Sequence, residues 1–371
     1  MVFSKRESEA GNPFWSKIQE NKNLGLWSPV LTPFSILYGM GIKVRLSAYR
    51  HGHLKKRSLP GFVVSIGNLT AGGTGKTPAV IMLAKWALNE GYRVAVLSRG
   101  YGGRYKEKIL EVSDGTDIKA EPMETGDEPY LLARKLAGVP VVVSKKRFEA
   151  GLFAHKNFDS NFFILDDGFQ HLELKRDLDL VLMDASNPFG NGYLLPRGPL
   201  REPIDQLVRA DTFIITRFKE NNSGDGIAGF LKKKYSSNPV FYADHIPEKI
   251  IFPCLNKVQE PEFLKGKRVL AFAGIARPET FKETLIRFGA DLVYFKGFRD
   301  HYKFKMDDIK ALIQITEKLR ADYIVTTEKD WIRISSFASL CPDIAYLCIR
   351  FTLLSGKEDF FRVIKDNIGD K

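Results

Sequence analysis

From residue 61 onward, short apolar runs alternate with stretches in which apolar residues recur at helical spacing. The runs 61–67 (GFVVSIG), 93–97, 139–143, 162–166, 178–183 and 212–216 have the length and continuity of strands buried on both faces. Helical stretches are expected at 77–89, 127–136 and 147–156. Buried strands alternating with helices predict an α/β fold with a mainly parallel sheet covered on both faces. A smaller α/β unit begins near Lys265, with strands over 268–272, 292–295 and 323–326 and helices over 278–288 and 306–319. The polar stretch 219–237 reads as surface, and the Gly- and Pro-rich stretch 188–203 as an ordered loop near the strand ends. The expected division is an N-terminal segment over 1–57, a core over 58–245 and a smaller C-terminal domain over 246–371.

The N-terminal segment has its own pattern. The first 23 residues are polar and mixed in charge, which does not read as a signal peptide. Residues 24–42 then carry no charge, but Pro29 and Pro33 make a straight spanning helix a poor fit. Residues 43–57 follow with six cations (Lys43, Arg45, Arg50, Lys55, Lys56, Arg57) and no anion. An apolar segment abutting a cationic one suits a helix lying in the headgroup layer of an anionic membrane. The alternative is a helix packed on its own domain with its basic residues in water.

Composition narrows the classes. With 44% hydrophobic and 27% charged residues, the chain as a whole is neither disordered, collagenous nor a coiled coil. Three cysteines (Cys254, Cys341, Cys348) form neither a disulfide framework nor a CxxC pair, and fit a reducing compartment. The net charge of +12 favours anionic ligands: nucleotides, phospholipid surfaces or nucleic acid. Nucleic acid fits least, because the densest cation run abuts an apolar segment and not an aromatic-studded sheet.

The strongest chemical signal is the run 67–78, GNLTAGGTGKTP, between an expected strand and an expected helix. Gly72, Gly73 and Gly75 let backbone N–H groups turn toward one anion, and the following helix N-terminus adds partial positive charge. Asn68, Leu69, Thr70, Ala71, Gly72, Gly73, Thr74, Gly75, Lys76 and Thr77 form the expected ATP-binding loop. Lys76 is suited to the β- and γ-phosphates and the Thr77 hydroxyl to Mg²⁺. The strict pattern places a glycine where Thr70 stands. Downstream, the apolar run 162–166 delivers Asp166 and Asp167 at its carboxyl end, where ligands of open α/β sheets bind. Two adjacent carboxylates call for a cation between them. Either could hold Mg²⁺.

Seven motifs occur in order: GNLTAGGTGKTP, LSRGYGGR (97–104), GDEPYLLA (126–133), LDDGFQH (165–171), LLPRGPLREP (194–203), RDHY (299–302) and TTEKD (326–330). Together they resemble the tetraacyldisaccharide 4′-kinases, the lipid A 4′-kinases of Gram-negative bacteria, over about residues 24–350. The resemblance implies a phosphate-loop kinase core, and transfer of the ATP γ-phosphoryl group to the 4′-hydroxyl of an acylated glucosamine disaccharide 1-phosphate. It also implies monotopic attachment to the cytoplasmic face of the inner membrane. Asp127 is similar to the family's base and His301 to its histidine partner. A carboxylate oriented by imidazole can accept the proton of an attacking hydroxyl. Without the resemblance, Asp127 reads equally as a helix N-cap and His301 as a surface loop histidine. Arg147 and Arg201 are expected beside phosphates, with Arg99, Tyr101, Gln170, His171 and Glu202 lining the substrate cleft. Glu328, Lys329 and Asp330 read as structural. A membrane-bound nucleotide switch without a lipid substrate is the competing class; its guanine-reading segment would have to be the distorted 327–330.

Overall fold

The computed structural model describes residues 27–218, 224–340 and 343–369. Residues 1–26, and with them most of the polar N-terminus and the start of the uncharged run, lie outside the described residues, as does Cys341. The chain divides into two compact units, Ile18–His245 with Phe351–Lys371, and Ile246–Arg350. The boundary falls inside two strands.

In the first unit, strands β1 (Phe62–Gly67), β2 (Val94–Ser98), β3 (Leu110–Ser113), β4 (Val141–Val143), β5 (Phe162–Asp166), β6 (Leu178–Asp184), β7 (Thr212–Thr216) and the start of β8 (Val240–Phe252) lie in the order β3-β4-β2-β5-β1-β6-β7-β8. All neighbours are parallel except β3 on β4, an antiparallel edge. Successive residues of each strand enter opposite cores, as the period-2 pleat requires. Val64, Ile66, Val96 and Ile164 pack beneath helices α2 (Lys76–Asn89) and α3 (Asp127–Lys135), joined by Phe360, Phe361 and Ile364 of the C-terminal helix Lys357–Gly369. Val63, Ala95, Leu97 and Leu165 pack on the other face against Ala150 and Ala154 of α4 (Arg147–Phe158). Fully burying such side chains contributes about 1.5–3 kcal/mol each, which is why these strands read as unbroken apolar runs.

Helix α1 (Trp27–Arg50) precedes the sheet, with Pro29 and Pro33 in its first turns. The expected surface stretch at 219–237 contains a helix instead, α5 (Gly224–Lys234), whose Ile227, Ala228 and Leu231 are buried against β6 and β7. Three apolar residues at i, i+1 and i+4 suffice to anchor one face when lysines occupy the rest.

In the second unit, β10 (Arg268–Ala273), β11 (Asp291–Gly297), β12 (Tyr323–Thr327) and β13 (Ile344–Leu353) form a parallel array, β11-β10-β12-β13. The far end of β8 pairs antiparallel with β9 (Lys257–Gln259). Helix α6 (Pro278–Arg287) covers one face through Phe281 and Leu285. Helices α7 (Met306–Leu319) and α8 (Glu328–Ile334) cover the other through Ile309, Leu312, Trp331 and Ile334.

One glycine sets how closely two loops meet. A Cβ on Gly67 would stand 2.5 Å from Phe169 Cβ and 2.7 Å from Phe169 N, both held by a buried ring and backbone. Gly67→Ala should therefore destabilise the protein by about 1–3 kcal/mol, read as a lowered thermal midpoint. An unchanged midpoint would show that the loops part freely.

Candidate functional site

The site grows from the register of two neighbouring strands. Ile66 of β1 pairs with Asp166 of β5, so the loop after β1 and the acidic end of β5 emerge side by side. The loop 68–75 turns on Gly72 (φ 125°) and Gly75 (φ 89°), conformations that side chains with a Cβ rarely adopt. Gly75 is the N-cap of α2 and no side chain caps it, leaving first-turn N–H groups for an anion. A Cβ on Gly72 would meet nothing within 4 Å, so the glycine there answers to its backbone conformation and not to a close neighbour.

Other segments clamp this loop from outside. The Gly/Pro stretch bonds to it through Ala71 N to Pro199 O (2.7 Å) and Arg201 N to Leu69 O (2.9 Å). Gln170 Nε2 donates to Asn68 O at 2.9 Å. Arg217, paired with Asp184, donates to Gly73 O at 2.8 Å. The His245 ring stands against Gly75, leaving no room for a side chain there. Burial, with Arg217 nearby, lowers the His245 pKa to about 4, so this ring is neutral.

Lys76 Nζ donates to Asn68 Oδ1 at 3.1 Å and lies 3.5 Å from Asp167. Arg201 Nη1 donates to both oxygens of Asp167, at 2.9 and 2.7 Å. The Asp167 side chain is 31% exposed yet ringed by protein. Desolvation pushes its carboxyl up, but Lys76 and Arg201 more than offset this and hold it down at about 2. Asp166 is the opposite case. Burial first, then the charges of Glu128 and Asp167, raise its carboxyl. Its Oδ2 accepts from Ser98 Oγ at 3.1 Å, while Oδ1 has no partner among the described residues.

Arg147 opens α4 with its side chain 4% exposed, and its Nε has no partner among the described residues. Burial, then Arg99, lowers its pKa to about 10, so it stays cationic beside Asp167 and Asp166. His171, half-buried, is pushed down to about 3 by burial and by Arg147, Arg176, Arg45 and Arg99. Arg99 and Tyr101 are exposed on the loop after β2. Glu202 is fully buried and ion-paired with Arg209, and burial raises its carboxyl. Arg45 of α1 donates to Gln170 O and Tyr38 to Arg201 O, both at 2.9 Å, so α1 is bonded to the site's loops.

Asp127 is the first residue of α3; the capping position is Gly126 (φ 84°). A Cβ on Gly126 would lie 2.3 Å from Tyr101 O, so the GDEP and RGYGGR loops lock together only with glycine there. Glu128 reaches the field of Asp166, which brings the α3 N-terminus to the acidic strand end. His301 belongs to the second unit, where it has a positive φ of 56°. Also in the second unit, Asp330 is fully buried beneath the Thr327 cap, donor of a hydrogen bond from Oγ1 at 2.7 Å.

Sequence reasoning passed over Ser98, Arg45, Glu128 and Arg217. Ser98 ends a strand next to β5, a position where site residues collect. Arg45 lay within the cation run, and Glu128 beside Asp127. Arg217 carried no local signal, since only the β7–β6 pairing places it by Asp184.

Comparison with known proteins adds independent findings. Residues 27–369 match the model of a family described as tetraacyldisaccharide-1-P 4′-kinase. A tetraacyldisaccharide 4′-kinase of Syntrophus aciditrophicus is 40% identical over 343 residues, covering 90% of this chain and 92% of the relative. One from Pelobacter propionicus is 42% identical over 315 residues, 85% of each. The crystal structure of an "apo" form of LpxK from Aquifex aeolicus in complex with ATP aligns with a TM-score of 0.73 at 31% identity, covering 92% of this chain and 100% of that one.

The raised Asp166 carboxyl gives a test. Its protonated form is favoured in the folded state, so stability falls as pH rises from the ordinary carboxylate range through the raised value. Asp166→Asn keeps an acceptor for Ser98 and removes the charge. It should stabilise the nucleotide-free protein increasingly as pH rises, by about 1.4 kcal/mol per unit of upward shift, read as a growing difference in thermal midpoint from the wild type. A pH-independent difference would contradict this assignment.

Proposed function

The chain belongs to the tetraacyldisaccharide 4′-kinase family, and on that premise we propose how its own residues carry out the reaction. It is an ATP-dependent lipid kinase that phosphorylates the 4′-hydroxyl of a tetraacyldisaccharide 1-phosphate. The observation that carries the assignment of roles is the β1–β5 register, which sets Lys76 and its loop against Asp166 and Asp167.

The loop amides and Lys76 bind the triphosphate, replacing the contacts Lys76 now makes to Asn68 and Asp167. Buried polar atoms with no partner among the described residues, at Thr74 Oγ1, Asp166 Oδ1 and Arg147 Nε, suit a ligand that is anionic and accompanied by a hard cation. Thr77 and Asp166 are the residues that would hold Mg²⁺, with Asp167 fixed beside them by Arg201. Mg²⁺, when bound, neutralises charge on the phosphate oxygens. Arg147, cationic and already desolvated, stabilises the charge of the phosphoryl group in flight. Asp127 takes the proton of the sugar hydroxyl, and His301 orients it. Arg99, Tyr101, Gln170 and His171 border the lipid's sugar and phosphate, and Glu202 acts through Arg209 beneath them.

Membrane contact falls to α1. Its Val30, Phe34, Leu37 and Val44 are exposed at helical spacing, with Ile36 and Met40 beside them. No helix among the described residues is long and apolar enough to cross a membrane. An apolar face on one side and bonds to Arg201 and Gln170 on the other would bring an acyl-anchored sugar to the phosphate loop at the cytoplasmic face of the inner membrane. Family membership does not favour a switch without a lipid substrate.

Three experiments test this reading. Lys76→Ala should abolish lipid phosphorylation by a folded protein. Asp127→Ala should lower kcat about 10²–10⁴-fold with little change in ATP affinity; an equal loss of both would remove the base role. Phe34→Glu with Leu37→Glu should reduce co-flotation with anionic vesicles while leaving ATP binding intact. Unchanged flotation would place the membrane contact elsewhere.

A further inference from the structure

The second unit holds a built-in device around His301. Arg333 of α8 donates from Nη1 to Asp330 Oδ1 and to Gly274 O, each at 2.7 Å. Its side chain is 6% exposed. Asp330 is itself locked, its Oδ2 accepting from Gly274 N at 2.8 Å and from Thr327 Oγ1 at 2.7 Å. The second terminal nitrogen of this fixed guanidinium, Nη2, stands 3.3 Å from His301 Nδ1. On the other side of the ring, Nε2 lies 3.5 Å from Lys329 Nζ and 3.9 Å from Asp300 Oδ2.

A guanidinium has donors and no acceptor, so a hydrogen bond from Arg333 requires a lone pair on His301 Nδ1. A neutral imidazole can offer a lone pair on one nitrogen only. Lys329 also has only donors, so the two cations cannot both be served. Arg333 is nearer and anchored at two further points, and its planar fork fixes the direction of the bond. The His301 backbone sits in the left-handed region (φ 56°), a costly place for a side chain.

We propose that Arg333, anchored by Asp330, is a positioning residue for phosphoryl transfer: it holds His301 in the tautomer with its proton on Nε2. This rests on the reading of His301 as the partner of the Asp127 base, which needs an N–H donor aimed at a carboxylate. It also gives the TTEKD motif a task, since Thr327 and Asp330 hold the arginine that holds the histidine.

The test uses the full chain with ¹⁵N-labelled histidine, its His301 ring signals assigned through His301→Gln. Long-range ¹⁵N–¹H spectra should show Nε2 protonated and Nδ1 bare in the wild type. In Arg333→Gln the preference should be lost and kcat should fall at least tenfold, with the KM for ATP and for lipid within twofold. Arg333→Lys should restore most of both. Because Arg333 also neutralises buried Asp330, the double variant Asp330→Asn/Arg333→Gln carries the same expectation if the single one does not fold. A wild-type ring protonated on Nδ1, or an unaltered tautomer in a slow Arg333→Gln enzyme, overturns the proposal while His301→Gln remains inactive. Full turnover by His301→Gln removes the underlying role of His301, and that of Arg333 with it.

Discussion

The Asp167 carboxylate holds the first unit's site together. It accepts from Arg201 of the Gly/Pro loop and faces Lys76 of the phosphate loop. Three segments far apart in sequence are thereby tied at one point. Each cation on its own would repel the other. Around an ionised carboxylate they stay close.

The neighbouring carboxyl behaves differently because its surroundings differ. Asp166 has Ser98 as its hydrogen-bond donor and Glu128 and Asp167 as acidic company, all under burial. Two adjacent aspartates in one turn are thus pushed apart in acidity. This is a common route by which one site keeps one group charged as a fixture and another ready to change. Arg147, His171 and His245 show the same use of burial, with a cation kept and two imidazoles held neutral.

The glycines at the site each answer a particular neighbour. Gly67 admits Phe169, Gly75 admits His245 and Gly126 admits the Tyr101 carbonyl. The first joins loop 67–78 to loop 165–171 and the third joins loop 97–104 to loop 126–133, all segments whose motifs carry the family resemblance.

The amino-acid sequence by itself determined the mainly parallel α/β fold and the kinase family. Buried strands must be apolar on both faces, and a phosphate loop needs glycines and Lys76 at set spacing. Strand boundaries at 162–166 and 212–216 coincide with those observed. It did not reveal β3, β8, β9, or the strand and helix after residue 343. Strands β3 and β9 are short and only partly buried, and β8 alternates in exposure, so their apolar content is diluted. Nor could it decide what surrounds each site residue. That Asp166 and not Asp167 is raised, that Glu202 is sealed against Arg209, and that Arg333 reaches His301 depend on contacts between residues 7 to 38 positions apart or more. A side chain's charge state and tautomer are set by its neighbours in space. Only the folded chain chooses those neighbours.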